Sequence, residues 1–251
     1  MEKFDVAITG NDASDLSIIA IHGIQGTRSS WDPVVQLLPN DARWIQPNLR
    51  GRADAFRGMQ TSDYTLEKFA ADIAEVVATH VTTPNFVLAG WSMGVSVTLA
   101  TIALLQREKL HMPAALILMS GSPVLQQTEW FHQTDYVPLL QEIEAREVRL
   151  GLHNAADRDA VAWTWQAISD TDQRPLLSAI HTPTLIVHGS DDEDSPIAHA
   201  HLLAQGLPNA NLRIINGGKH SILKQNTVRV ADEMRAFLST IPTHGESHAN
   251  Q

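Results

Sequence analysis

Two glycine-framed turns, an acidic loop and one histidine hold the side chains of this 251-residue chain that could perform acyl transfer. The first turn is Gly90-Trp91-Ser92-Met93-Gly94. It follows an apolar run at 86–89 and precedes a helical pattern at 93–107, the strand, sharp turn and helix in which a nucleophilic hydroxyl is lifted off a sheet. Side chains at either glycine would collide with the neighbouring strand and helix. Ser92 also falls at a helix N-terminus, where backbone N–H groups and the helix dipole favour developing negative charge. G-x-S-x-G alone is a loose pattern, and the flanking elements give it weight.

The second turn, His22-Gly23-Ile24-Gln25-Gly26, closes an apolar run at 17–21. It can aim a backbone N–H at the point served by the residue after Ser92, so the N–H groups of Ile24 and Met93 are the expected oxyanion donors. Losing one such donor costs on the order of 10²–10³ in rate. His22 is expected to be structural. The acidic loop, Gly189-Ser190-Asp191-Asp192-Glu193-Asp194-Ser195-Pro196, lies just beyond a strand pattern at 184–187, on the rim where ligands bind in parallel sheets. Asp191, Asp192 and Asp194 compete there for the role of orienting carboxylate, with Glu193 behind them. The remaining acids of the run would line a solvated loop. Gly217-Gly218-Lys219-His220 follows a run at 212–215, and a histidine in that loop can reach back over the sheet. The order Ser, Asp, His along the chain marks His220 as the base for Ser92.

No metal site is expected. His199 and His201 stand two apart on a helical pattern and point about 200° apart, and His244 and His248 lie in a polar tail. There is no HExxH, no Gly-x-Gly-x-x-Gly after a first strand and no Walker loop, and no cofactor is expected.

The elements that must position these residues alternate. Apolar runs at 17–21, 44–45, 86–89, 114–119, 184–187 and 212–215, with a weaker amphipathic edge candidate at 4–8, are separated by helical patterns at 31–38, 66–80, 93–107, 197–205 and 227–238. This is the pattern of βα units around a mostly parallel sheet covered on both faces. In 66–80, Phe69, Ile73, Val76, Val77 and His80 share a stripe, with Glu67, Lys68, Asp72 and Glu75 elsewhere and Thr65 as N-cap. Residues 124–173 break the rhythm. They are helical at 137–152 and 158–168 without a strand between, and they hold Trp130, Trp163 and Trp165. The expected organisation is a core at 1–123 and 174–242, a helical lid at 124–173 and a disordered tail at 243–251.

Composition bounds the remaining classes. Hydrophobic residues make up 43% and charged residues 18%, as in ordinary globular domains. A net charge of −10, without a run of Lys and Arg, disfavours nucleic acid and anionic membranes as partners. The absence of cysteine excludes disulfides, thiolate metal sites and a Cys nucleophile. No signal-like N-terminus and no apolar run near the roughly 18 residues of a membrane span are present, so a cytoplasmic protein is expected.

On HGIQGTRSSW at 22–31, PNLRGRA at 47–53, the helix around YTLEKFAADI, GWSMG at 90–94, PTLIVHGSDDEDSP at 183–196 and GGKH at 217–220, the chain resembles the α/β-hydrolase superfamily. The resemblance implies the α/β-hydrolase fold, a mostly parallel central sheet flanked by helices with a short helical lid after the sixth core strand. Its G-x-x-D-x-x-x-P pattern selects Asp192 at Gly189, with Pro196 in register and Asp194 in reserve. The stretch at 115–130 is similar to the strand and lid start of pimeloyl-acyl-carrier-protein methyl ester esterases. An acidic carrier-protein partner would then need basic lid residues such as Arg146, Arg149, Arg158 or Arg174, and Arg146 and Arg149 could share a helical face. The chain departs from the family at Asn48, where many relatives have Asp, at Arg52-Ala53 for His-Gly, at Val95 for a second Gly and at Lys219 for a Gly. The Asn48 segment also resembles that of cofactor-free dioxygenases of the superfamily.

The expected activity is hydrolysis of a small, largely apolar carboxylic ester, lactone or thioester through an acyl-enzyme on Ser92, with His220 and Asp192. Trp91, Trp130, Phe131, Leu139 and Trp163 are the candidate substrate pocket. Two alternatives on the same scaffold are C–C bond cleavage or cofactor-free oxygenation, marked by oxygen uptake that survives Ser92→Ala, and a non-catalytic receptor, marked by fluorophosphonate labelling without turnover.

Overall fold

The computed structural model describes residues 4–152 and 154–241, so the tail expected at 243–251 lies outside the described residues. Seven strands, β1 (Asp5–Gly10), β2 (Leu16–Ile21), β3 (Arg43–Asn48), β4 (Asn85–Trp91), β5 (Ala115–Met119), β6 (Thr184–Gly189) and β7 (Ala210–Ile215), form one sheet ordered β1-β3-β2-β4-β5-β6-β7. β1 runs antiparallel to β3, and every other neighbouring pair is parallel. Between and after them come α1 (Asp32–Leu37), α2 (Leu66–His80), α3 (Met93–Glu108), α4 (Tyr136–Leu150), α5 (Arg158–Ile168), α6 (Arg174–Leu177), α7 (Ala198–Gly206), α8 (Ile222–Gln225) and α9 (Thr227–Leu238).

The central strands read as unbroken apolar runs because helices cover both of their faces. Successive side chains alternate between two cores. On one face Ile18 and Ala20 of β2, Val87 and Ala89 of β4 and Ile117 and Met119 of β5 pack against Val34 and Val35 of α1 and Val230 and Met234 of α9. On the other, Ile19, Ile21, Leu88, Leu116 and Leu118 meet Phe69, Ile73 and Val76 of α2 and Val95, Val97 and Leu99 of α3. α2 buries Phe69, Ile73, Val76 and Val77 of the expected stripe, with His80 only half-buried at its end, and the Thr65 side chain accepts from the Lys68 N–H at its N-terminus. Asp72, on the polar side of that pattern, is nonetheless buried, its carboxylate gripped by both Arg50 Nε and Nη2 at 2.7 Å.

Two features aim the chemistry. The chain leaves β2 for β3 on one side and returns to β4 on the other, so the strand order reverses between β2 and β4 and a crevice opens beyond their C-terminal ends. The helical insertion is tied at its neck. Val124 and Asp172 form an antiparallel bridge, Leu125 N–H donates to Thr171 O at 2.9 Å and Gln173 N–H to Pro123 O at 2.7 Å. This insertion leaves the sheet after β5, the fifth strand in chain order and not a sixth. Only one strand, β1, precedes β2 among the described residues, so Ala115–Met119 is the fifth in the count.

Candidate active site

Ser92 follows β4 directly and holds φ 58° and ψ −123°, a region that costs a non-glycine residue about 1–3 kcal/mol. The surroundings enforce it. Ser92 N–H donates to Met119 O on β5 at 2.9 Å. A Cβ at Gly90 would stand 2.3 Å from Gly94 O, and one at Gly94 would stand 2.3 Å from Ile21 O, so the turn closes against β2 only with glycine at both places. Met93 is the first residue of α3, where a backbone N–H has no partner within its helix.

His220, in the loop between β7 and α8, sets its Nε2 2.9 Å from Ser92 Oγ and its Nδ1 3.0 Å from both carboxylate oxygens of Asp192. Asp192 has only oxygen acceptors to offer, so Nδ1 carries the proton and Nε2 is left to accept from the serine hydroxyl. All three residues are buried. Asp192 is itself held, its Oδ1 accepting from Asp194 N–H at 3.0 Å and Ser195 N–H at 2.8 Å. Of the competing acids, Asp191 and Glu193 are exposed. Trp91 packs its ring 5.4 Å from that of His220 and donates Nε1–H to His220 O.

The β2 turn lies against Ser92, for a Cβ at Gly23 would come 3.0 Å from Ser92 Cβ and 3.3 Å from Oγ. His22 braces it from within. Leu49 N–H donates to His22 Nε2 at 3.0 Å, which puts the proton on Nδ1, donated to Gly23 O at 2.8 Å. Burial, helped by the Arg52 charge, pushes the His22 pKa down to about 3, so the ring stays neutral as that double role requires. Arg52, fully buried with its pKa lowered by burial to about 10, spans Ile24 O at 2.5 Å and Arg50 O at 2.6 Å. Ile24 is thereby fixed at its carbonyl. Nothing in the residue pattern of 50–53 announced that contact across 28 positions.

α4 brings a second charged cluster to the site. Arg146 Nη2 meets Asp194 Oδ2 and Arg149 Nη2 meets Asp194 Oδ1, both at 2.9 Å, while Arg146 Nη1 reaches Gln25 Oε1 at 2.5 Å. Asp194 Oδ2 is 4.0 Å from His220 Nε2. Burial opposes the charge on Asp194, but His220, Arg146 and Arg149 outweigh it and hold the carboxyl below the usual range. The spacing of Arg146 and Arg149 signalled a shared face, but not the carboxylate they share. A cavity of about 30 Å³ remains at Ser92, among Gly23, Gln25, Arg146, Leu152 and His220, and it adjoins a cleft of about 270 Å³.

Of the five expected pocket residues, Trp91 lines both spaces. Trp130, Phe131 and, on the buried face of α4, Leu139 belong to the core, where burying large apolar area outweighs lining a space this small. Trp130 donates Nε1–H to Ser195 Oγ and Phe131 stacks under the Arg146 guanidinium at 5.7 Å, so both buttress the site from behind. Trp163 packs on Tyr64, ring centroids 5.8 Å apart. Among the described residues no group of three His, Cys, Asp or Glu side chains is placed to hold a metal ion.

A model of the alpha/beta hydrolase family matches residues 18–233. A protein of Synechocystis sp. provisionally named a non-heme chloroperoxidase is 26% identical over 238 residues, 82% of this chain and 84% of that protein. The pimeloyl-[acyl-carrier protein] methyl ester esterase of Nitrosomonas europaea is 24% identical over 242 residues, 84% of this chain and 90% of that protein. An esterase from Exiguobacterium antarcticum superposes with a TM-score of 0.80 at 19% identity, covering 94% of this chain and 96% of that one, which shows a common fold alone.

Proposed function

The chain belongs to the alpha/beta hydrolase family, and on that premise we propose that it is a serine hydrolase of carboxylic esters, lactones or thioesters, with Ser92 as nucleophile, His220 as base and Asp192 as the orienting acid. The observation that carries this reading is the continuous line from Asp192 through His220 to Ser92 Oγ, with steps of 3.0 and 2.9 Å.

The geometry supports a two-stage acyl transfer. His220 Nε2 takes the hydroxyl proton as Ser92 Oγ bonds to the acyl carbon, and the carbonyl oxygen gathers negative charge. The N–H groups of Met93 and Ile24 stabilise that oxygen, the first from the start of α3 and the second from the turn braced by His22 and Arg52. The carbonyl re-forms, the bond to the leaving group breaks, and His220 returns the proton to that group. Water then attacks the Ser92 ester with His220 again as base, releasing the acid and the free hydroxyl. Asp192 holds the imidazole tautomer and stabilises the imidazolium between the two transfers.

The esterase name of the Nitrosomonas europaea relative supports esters as the first class to try. A carrier protein as partner draws less support. Arg146 and Arg149 are engaged with Asp194, Arg158 with Glu144 and Glu147, and Arg174 with Asp172, so the basic lid residues already have carboxylates of their own. Among the described residues no helix is long and apolar enough to cross a membrane. Fluorophosphonate labelling read by intact mass tests the proposal. One adduct in the wild type and none in Ser92→Ala, with ester turnover lost in parallel, is expected; turnover surviving in Ser92→Ala overturns it.

A further inference from the structure

His220 stands between two carboxylates. Asp192 faces Nδ1 at 3.0 Å and belongs to the line already described. Asp194 faces the opposite nitrogen, its Oδ2 4.0 Å from the Nε2 that meets Ser92 Oγ. Both acids are buried, away from the solvent that would screen them.

A base so placed has a conflict to resolve. An anion within about 4–6 Å of an imidazole favours its protonated form, and a ring already holding a proton at Nε2 cannot take the one from Ser92. Asp192 is needed to fix the tautomer and steady the imidazolium. A second negative charge left unopposed would bias the resting ring toward the state that cannot act. The attraction is mutual, for His220, Arg146 and Arg149 together hold the Asp194 carboxyl below its usual range against the cost of burial.

The insertion supplies the opposing charge. Arg146 Nη2 meets Asp194 Oδ2 and Arg149 Nη2 meets Oδ1, each at 2.9 Å, so two guanidinium groups stand against two carboxylates. The other groups near the ring leave that balance alone. Trp91 of β4 packs on the ring without charge. His22 on the β2 turn and His188 of β6 are kept uncharged by burial. Lys219 and Lys224, near His220 in the chain, are exposed and screened by water. The two arginines differ in what else they hold. Arg146 is buried, bonded to Gln25 and stacked on Phe131, whereas Arg149 is about half exposed and can be changed without opening the core.

We propose that Arg149 is a positioning residue for the reaction: from α4 it offsets Asp194, and so leaves His220 free of a proton when Ser92 must be activated. This role rests on His220 being the base for Ser92, as proposed above.

The test is the second-order rate of fluorophosphonate labelling at Ser92, followed from about pH 5 to about pH 9 in wild type and in Arg149→Lys, Arg149→Met and Arg149→Glu. The rate falls on the acid side as the base is protonated, and the pH of half-maximal rate is read whatever the height of the plateau. Arg149→Lys should keep the wild-type midpoint. Arg149→Met should raise it by about half a pH unit and Arg149→Glu by about one, which is about threefold and about tenfold slower labelling on the acid limb. Asp194→Asn removes the anion, keeps both cations and should move the midpoint the other way. A helix that had merely loosened would slow labelling at every pH and leave the midpoint in place. His22 and His188 are common to all the variants and drop out of the comparison. Midpoints that stay together across the Arg149 series, or that depart from the order of charge, overturn the inference, and this series decides alone should Asp194→Asn unfold. A wild type that takes up no fluorophosphonate on Ser92 fails at the earlier reading instead. The Cε1–H resonance of His220, followed against pH in wild type and Arg149→Glu, then decides this one: a shared midpoint overturns it.

Discussion

The loops at the C-terminal edge of the sheet and the 124–173 insertion above them both reach Ser92, but different forces hold them there. The loops are set by backbone. Gly90 and Gly94 allow main-chain approaches that a Cβ would shut out, and Ser92 keeps its positive φ because β2 and β5 press on either side. Over Ser92 helix α4 is held by side chains, chiefly Asp194 gripping Arg146 and Arg149, with Gln25 donating to Ile143 O, while the rest of the insertion is tied by backbone, Glu129 N–H to Asp194 O at 2.9 Å and Ala156 N–H to Gln25 O at 3.0 Å. A backbone-packed turn has one arrangement; a charge-paired helix can be released by altering a single carboxylate. The arrangement around Ser92 is therefore rigid, and the hold of α4 over it rests on contacts that can be undone.

Ser92→Ala should produce the largest effect on the rigid side, a loss of about 10⁴-fold or more in ester turnover with an unchanged urea midpoint. A midpoint that dropped with the activity would show the elbow to be a folding element as much as a chemical one. On the side-chain-held region, Asp194→Ala leaves the buried Arg146 charge without its partner. It should cost about 3–5 kcal/mol in chemical denaturation and should expose α4 to hydrogen exchange ahead of the sheet. Exchange rising equally in β4 and α4 would erase the distinction between the regions.

A matched pair of glycines sharpens it further. Gly94→Ala forces a Cβ to 2.3 Å from Ile21 O and should cost about 3 kcal/mol, whereas Gly151→Ala, at φ 59° with open space around it, should cost about 1 kcal/mol. Equal losses by urea titration would deny that the elbow is the more tightly packed of the two.

The pH response belongs to the core. His22, buried and neutral with its pKa lowered to about 3, resists a proton that the unfolded chain accepts below about pH 6.5. Between those values the unfolded state binds more protons, so stability should fall as pH drops, by at most about 1.4 kcal/mol per pH unit from this residue. Burial lowers His188 and His199 in the same direction. Urea midpoints at pH 7.5, 6 and 5 read the slope, and a flat series would mean these rings are not excluded from water as the structure has them. The smallest effect belongs to Arg158→Ala, on the outer face of the insertion, where Arg158 and Glu144 are about half exposed and Glu147 is half-buried, so the loss by urea titration should stay at or below about 0.5 kcal/mol.

Much of the rigid region is legible along the chain. The elbow reads because its glycines are near neighbours of the serine and because strand and helix periodicities change at that point. α2, with its Thr65 cap and its Phe69, Ile73, Val76 stripe, reads because helical burial repeats every three to four residues. The insertion reads as helical for the same reason, but Trp130, Phe131 and Leu139 do not declare which way they face. Aromatic residues suit a pocket wall and a buried core alike, and here the core took them. Asp72 and Arg50 give a similar lesson, since each looks like a surface charge until the other is placed beside it.

From its own pattern the sequence determined the layered sheet, the order of hydroxyl, carboxylate and imidazole along the chain, and the turns that carry them, because each depends on residues within a few positions of one another. Residue types alone left Asp191, Asp192 and Asp194 in competition and the family resemblance chose Asp192; only the tertiary structure decided that this carboxylate meets His220, that Asp194 instead holds α4, and how little room is left beside Ser92. Those outcomes rest on contacts between residues 28, 48 and 128 positions apart, whose distances follow from how whole strands and helices pack and not from any local periodicity.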